Sequence, residues 1–279
     1  MRGALGIIAG SGDLPRLIAQ TCVDREKPHL VVGFQGVEAG DWLTAHPHTR
    51  PPFEKPGRLF AALRKAGCDR VTFAGGMRRP QLDPLRFDLT ALRLAPRVLP
   101  MLRHGDDATL RGLASVFEAE GFAVVPPHDE LEELLAREGV LGQVAPSEAD
   151  RADAARAAEL ALGIGVLDAG QAAVVAQGLC LGLESLAGTD ALLDFVAQTG
   201  AALRPDPKAG RGVLAKMPKP GQDWRLDLPA IGPETVRRAA QAGLAGIAIA
   251  PGGVLILGLK ETIAEADAAG LFLWGRPHP

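Results

Sequence analysis

Residues 4–9 read ALGIIA, six apolar positions without a polar break, and they run straight into Gly10-Ser11-Gly12, after which Leu14, Leu17, Ile18 and Thr21 recur at helical spacing. An unbroken apolar run suits a strand covered on both faces, and strand, glycine turn and helix in that order open a parallel sheet with crossover helices. The order repeats downstream. Residues 30–34 read as a second strand, 58–66 as a helix, 70–74 as a third strand ending in Gly75-Gly76, 106–120 as a helix, and 122–125 as a fourth strand closed by Pro126-Pro127. This alternation predicts a Rossmann-like domain over residues 1–135.

At 279 residues the chain has room for a second domain. Residues 136–150 mix Gly, Pro, Ser and Glu without an apolar period and are expected as a linker. Over 151–279 the pattern predicts a helix from the alanine-rich 149–163, a long strand over 172–183, a helix over 190–199 and a strand over 213–217. A helix over 233–242, strands near 247 and 254 and a helix after 260 follow. The predicted fold class is α/β, an N-terminal Rossmann-like parallel-sheet domain plus a C-terminal α/β (α+β) domain.

Aromatic residues make up only 4% of the chain and tyrosine is absent, which removes the stacking platforms of a single-stranded nucleic-acid reader. A formal net charge of -3 disfavours contact with a phosphate backbone, so no nucleic-acid partner is expected. Cys22, Cys68 and Cys180 lie far apart without metal or dithiol spacing and read as reduced thiols. The N-terminus lacks a secretory signal pattern, and the apolar stretch 247–259 is broken by Pro251-Gly252-Gly253. A cytoplasmic chain is expected, one that meets a membrane only from the side.

Gly10-Ser11-Gly12 lies where a doubly wound sheet presents the carboxyl ends of its strands, and glycines there let a phosphate approach the N–H groups of the next helix. Pro15 stands where the third glycine of the dinucleotide fingerprint belongs, so a looser nucleotide or phosphate site, or a plain tight turn, fits better than NAD. Gly75-Gly76 makes a second glycine turn on the same edge and brings Arg78 and Arg79, guanidinium groups that suit an anion and are equally ordinary on a surface. His104-Gly105-Asp106-Asp107 opens a helix; one Asp caps it, leaving the other and the imidazole as ligand or metal candidates. Between residues 78 and 103, six arginines and two aspartates interleave with leucines including Leu82, Leu85, Leu89 and Leu92. Such a segment suits either an anionic lipid surface or a core helix kinked at Pro96 and Pro100.

The densest chemistry is residues 208–227, KAGRGVLAKMPKPGQDWRLD, which hold three of the chain's seven lysines, Lys208, Lys216 and Lys219, followed by Gln222, Asp223 and Asp227. Lysines stabilise phosphate charge and carboxylates hold Mg²⁺ or orient a water, an order of residues suited to phosphoryl transfer to water. If 222–228 is extended, Asp223 and Asp227 point to one side and share a metal; a charged surface hairpin is the alternative. Glu184 stands at the end of the long predicted strand, and Thr189 or Asp190 as an N-cap explains Gly188-Thr189-Asp190 without any function.

Together, GIIAGSGDLP (6–15), GGMRRP (75–80), HGDDATL (104–110), ESLAGTD (184–190) and KPGQDWRLDLPAIG (219–232) resemble the LpxI family of UDP-2,3-diacylglucosamine pyrophosphatases, enzymes of lipid A assembly in Gram-negative bacteria. The resemblance spans residues 4 to 260. It implies a hydrolase that cuts UDP-2,3-diacylglucosamine into lipid X and UMP with Mg²⁺ or Mn²⁺, attacks the phosphorus nearer the sugar, and holds the glycolipid between its two domains. On that basis Asp223 and Asp227 are expected to hold the metal or orient water, with Lys216, Lys219 and Gln222 on the phosphoryl oxygens. Gly10, Ser11, Gly12, Leu14, Gly76 and Arg78 line the substrate site, and Asp107, Thr189 and Asp190 touch sugar or phosphate. A peripheral position at the inner face of the cytoplasmic membrane and a homodimer complete the expectation. The rival is a nucleotide-sugar binding or regulatory module without catalysis.

Overall fold

The computed structural model describes residues 3–37, 40–77, 80–101, 106–204, 206, 209–226 and 228–277, with 106–108 described by backbone alone. The chain divides into two compact units, Met1–Glu132 with Asp223–Asp227, and Glu133–Gln222 with Leu228–Pro279. The architecture is α/β in both halves, as the alternation of strand and helix predicts.

The first unit runs β1 (Ala4–Ala9), α1 (Leu14–Asp24), β2 (His29–Gly33), β3 (His48–Thr49), α2 (Pro56–Lys65), β4 (Cys68–Ala74), α3 (Leu89–Met101), α4 (Asp106–Ala119) and β5 (Ala123–Val124). Its sheet has the order β3-β2-β1-β4-β5 with every pairing parallel. All six residues of β1 are buried, which is why that strand is apolar without alternation. The chain winds to one side of β1 through β2 and β3, then returns to the other side through β4 and β5. The topological switch point therefore falls between β1 and β4. Phe117 packs edge to face on Phe60 and Phe122, which stack on each other, beside Leu63 and Val71 in the core. Leu226 joins the same cluster and anchors the returning segment with about 1.5–3 kcal/mol of side-chain burial.

The second unit runs β6 (Gly139–Val140), α5 (Glu148–Val166), β7 (Ala172–Ala176), β8 (Leu179–Leu183), α6 (Gly188–Leu203), β9 (Val213–Lys216), β10 (Ala230–Ile231), α7 (Pro233–Gln241), β11 (Gly246–Ile249), β12 (Leu255–Ile256), α8 (Leu259–Ala268) and β13 (Phe272–Gly275). Six strands form a mixed sheet in the order β6-β13-β11-β9-β7-β8, with β9, β11 and β13 parallel and the outer strands antiparallel. β10 and β12 pair separately. Helix α5 starts with a capping box in which Ser147 and Asp150 exchange hydrogen bonds. It buries Ala154, Ala157, Ala158, Ala161 and Gly165, a stripe of small residues at helical spacing that lets the backbone lie close over β7 and β9.

Two sequence expectations need correction. Residues 172–183 are a hairpin rather than one long strand, because Gln177 and Gly178 both take positive φ, as a two-residue type I′ turn requires. Residues 272–275, FLWG, form a fully buried strand that the sequence pattern left unassigned. No helix among the described residues is long and apolar enough to cross a membrane.

Candidate functional site

In the first unit the two glycine turns are locked together at the switch point. Ser11 N–H donates to Gly76 O at 2.7 Å, Gly76 N–H returns a bond to Ser11 O at 3.1 Å, and the Ser11 hydroxyl donates to the same Gly76 carbonyl at 3.0 Å. A Cβ on Gly10 would lie 2.3 Å from Gly76 O and 2.7 Å from Gly75 O, so close backbone approach is what demands glycine there. Gly75, at φ +83°, is glycine for conformation as well. Leu14 begins α1 directly after this turn, with Pro15 inside its first turn. Gly10, Ser11, Gly12, Leu14 and Gly76 are thus one cluster at the carboxyl ends of β1 and β4. Arg78 lies outside the described residues, and so does the side chain of Asp107, whose backbone belongs to α4.

A cavity of about 360 Å³ opens on the same edge of the sheet, lined by Gln35 after β2, Phe53 and Glu54 after β3, and Pro80 and Gln81 after β4. Apart from Pro80, which ends the GGMRRP motif, the sequence patterns did not flag these residues; their position just beyond strand ends is the signal that finds them.

In the second unit several of the candidate polar groups converge at the carboxyl end of β9. Lys216 is its last residue and only 7% exposed. Its ammonium donates to Thr189 Oγ1 at 2.8 Å and to Ala230 O at 2.9 Å. Thr189 passes its own hydroxyl proton to Glu184 Oε1 at 2.6 Å, and Glu184 Oε2 accepts Gln171 N–H at 2.8 Å. Thr189 therefore links a buried cation to a buried carboxylate, so that Glu184 balances Lys216 without touching it through these bonds. On the next loop Lys219 Nζ lies 2.6 Å from Asp168 Oδ1, and Gln222 Oε1 accepts Lys219 N–H. Asp168, a non-glycine residue at φ +53°, and Glu184 are members that sequence reasoning left without partners. Asp190 stands apart, exposed beside Arg238.

Asp223 is held differently from the expectation. Residues 223–226 form a turn closed by Leu226 N–H to Asp223 O at 2.9 Å, so the extended geometry that would align Asp223 with Asp227 is absent. The Arg225 guanidinium grips both oxygens of Asp223, Nε to Oδ1 at 3.0 Å and Nη2 to Oδ2 at 2.7 Å, and also reaches Glu118 at 3.0 Å. Hydrogen bonding from Arg225 holds the Asp223 carboxyl below the usual carboxylate range. A carboxylate covered in this way does not fit a divalent ion. Asp168 and Glu184 are likewise engaged by donors, and no three metal-ligating side chains converge among the described residues. Asp227 and Lys208 lie outside those residues.

Both halves match known families along their length. A model described as the LpxI N-terminal domain matches residues 4–134, and one described as the LpxI C-terminal domain matches 137–274. The UDP-2,3-diacylglucosamine pyrophosphatase LpxI of Caulobacter vibrioides is 41% identical over 271 residues, covering 97% of this chain and 96% of that protein. With two consecutive domain matches that leave almost no chain unaccounted for, and a full-length relative at that identity, the chain belongs to the LpxI family.

Proposed function

We propose that this chain hydrolyses the pyrophosphate bond of UDP-2,3-diacylglucosamine to lipid X and UMP, a step of lipid A synthesis. The observation that carries this reading is the relative of that name, similar along 97% of the chain. The first unit supports it with a cavity beside the paired glycine turns at the switch point, where open α/β sheets bind nucleotides. The second unit supports it with a desolvated lysine, whose fixed positive charge acts on phosphoryl oxygens more strongly than an exposed one.

In this reading Lys216, oriented by Thr189 and Glu184, stabilises charge developing on the phosphoryl oxygens, while Lys219 and Gln222 bind the flanking phosphate. Arg225 keeps Asp223 ionised, and this carboxylate orients the attacking water once one of its four hydrogen bonds from Arg225 gives way to it. Turnover is expected to need Mg²⁺ or Mn²⁺, as the resemblance to the family implies. Work at the inner face of the cytoplasmic membrane follows from a diacylated substrate.

The test is hydrolysis of UDP-2,3-diacylglucosamine in ¹⁸O water with and without EDTA, by the parent, Lys216→Met and Asp223→Asn proteins, with products identified by mass. Release of UMP and lipid X, reduced about a hundredfold or more in either variant, is the expected result. The label is expected on lipid X, whose phosphorus is the one nearer the sugar. A folded parent that binds the substrate without turning it over would replace the hydrolase reading with that of a binding module.

A further inference from the structure

Helix α3 is apolar on two opposite faces. Ala91, Leu94 and Val98 turn inward, Ala91 buried and the other two packed against the first unit's core. Leu89, Leu92 and Leu99 turn outward with Pro96 between them, a 3-4-3 spacing that places all four on one stripe. Leu89 is 85% exposed, and Leu85, four residues before it, is 95% exposed. From Leu89 to Leu99 the stripe runs about 15 Å along the helix. A soluble helix normally keeps its second face polar, so this one is built for an apolar neighbour.

At the start of the stripe lies a cavity of about 690 Å³ lined by Lys55, Arg58, Leu85, Arg86 and Asp88. Asp88 is committed to the protein: Oδ2 accepts Gly57 N–H at 3.0 Å and Oδ1 accepts Ala91 N–H at 2.7 Å. Arg86 sits 3.7 Å from Glu54, and Lys55 and Arg58 pair with no carboxylate among the described residues. The lining thus holds three cations around one carboxylate that is already satisfied, with an exposed leucine at its rim.

We propose that this face docks on an anionic lipid bilayer, with a phospholipid phosphate in the cavity between Lys55, Arg58 and Arg86, and with Leu85, Leu89, Leu92 and Leu99 inserted among the acyl chains. Cations beside an apolar stripe match the order of layers in a leaflet, charge at the surface and hydrocarbon beneath it. The choice of a bilayer over another protein rests on the proposed diacylated substrate. Arg86 also lines the 360 Å³ cavity beside the switch point, whereas Lys55, Arg58 and the leucines belong to neither that cavity nor the Lys216 network.

The experiment is co-sedimentation of the full chain with vesicles of phosphatidylcholine alone and of phosphatidylcholine with phosphatidylglycerol, for the parent, Lys55→Ala/Arg58→Ala, and Leu85→Gln/Leu89→Gln/Leu92→Gln proteins. The parent is expected to bind the anionic vesicles and to release them as salt rises. The charge variant is expected to bind about 25-fold more weakly at low salt, fivefold for each cation removed. The leucine variant is expected to lose binding to both vesicle types. Because Arg58 and the three leucines are exposed and Lys55 is only half-buried, thermal unfolding is expected to be unchanged, and turnover of detergent-dispersed UDP-2,3-diacylglucosamine is expected to match the parent. That last readout separates the two proposals: an active enzyme that ignores vesicles overturns the docking surface alone. Equal vesicle binding by parent and leucine variant would overturn it too. So would a leucine variant whose only change is dissociation of a dimer, which would assign the stripe to a second copy of the chain, and competition by inorganic phosphate alone would reduce the cavity to a free-anion site.

Discussion

In the proposed hydrolysis Lys216 and Gly10 carry the parts of the two units, for opposite physical reasons. Lys216 matters for what it adds, a charge out of water with two hydrogen-bond acceptors and a carboxylate one residue further away. Lys216→Met keeps the length of the stem and removes the ammonium; stability in urea is expected to fall by about 2 kcal/mol together with the loss of turnover. The same stability loss with turnover intact would make the lysine structural. Gly10 matters for what it lacks. Gly10→Ala drives a methyl into two carbonyl oxygens, so that the paired turns must part; a loss of about 1–3 kcal/mol with a raised KM for substrate is expected from thermal unfolding and initial rates. Both residues were legible in the sequence, one as part of a lysine cluster and the other as part of a glycine turn. The partners were not. Nothing in the order of residues announces that Arg225 will close over Asp223, or that Thr189 will stand between Lys216 and Glu184, because these contacts depend on how turns and distant elements meet.

At the scale of elements, the β7–β8 hairpin shows how a helix packed over the sheet determines a turn. Asp153 on α5 is buried and accepts Gln177 N–H at 2.9 Å on one oxygen and Gly178 N–H at 2.8 Å on the other. Asp153→Ala leaves both amides without their acceptor and is expected to cost about 2–3 kcal/mol, whereas Asp153→Asn, which keeps one acceptor oxygen, is expected to recover about half. Urea unfolding gives the energies, and amide exchange at residues 177–178 reports the turn directly. The alanine-rich helix α5 and the apolar strands β1 and β9, each close to a Gly or Pro turn signal, were readable along the chain. The hairpin was read as one strand because its flanks are uniformly small and apolar and its turn residues are Gln and Gly, without the Asn-Gly or Asp-Gly that usually marks one. Strand β13 was missed because four apolar residues after a helix carry no period of their own.

For the molecule as a whole, the division into two α/β units was legible, but the return of Asp223–Asp227 to the first unit was not, since periodicity describes neighbours in sequence alone. Leu226 fills a place in the first unit's core from nearly a hundred residues downstream. Leu226→Ala is expected to cost about 2–5 kcal/mol, and hydrogen exchange should show lost protection in peptides from residues 3–132 while those from 228–277 keep theirs. Equal loss in both sets would mean that the segment stabilises the second unit as much as the first. The same returning segment gives the protein a clock. A ribosome adding about 5–20 residues per second needs roughly 5–20 s to travel from Glu132 to Leu226. For that interval the nascent N-terminal half is all but complete and still has an opening in its core, so it waits for the C-terminal half to be made before it can close. Chains released early from the ribosome would carry that opening permanently, which marks unfinished copies for chaperones and proteases before either half can act.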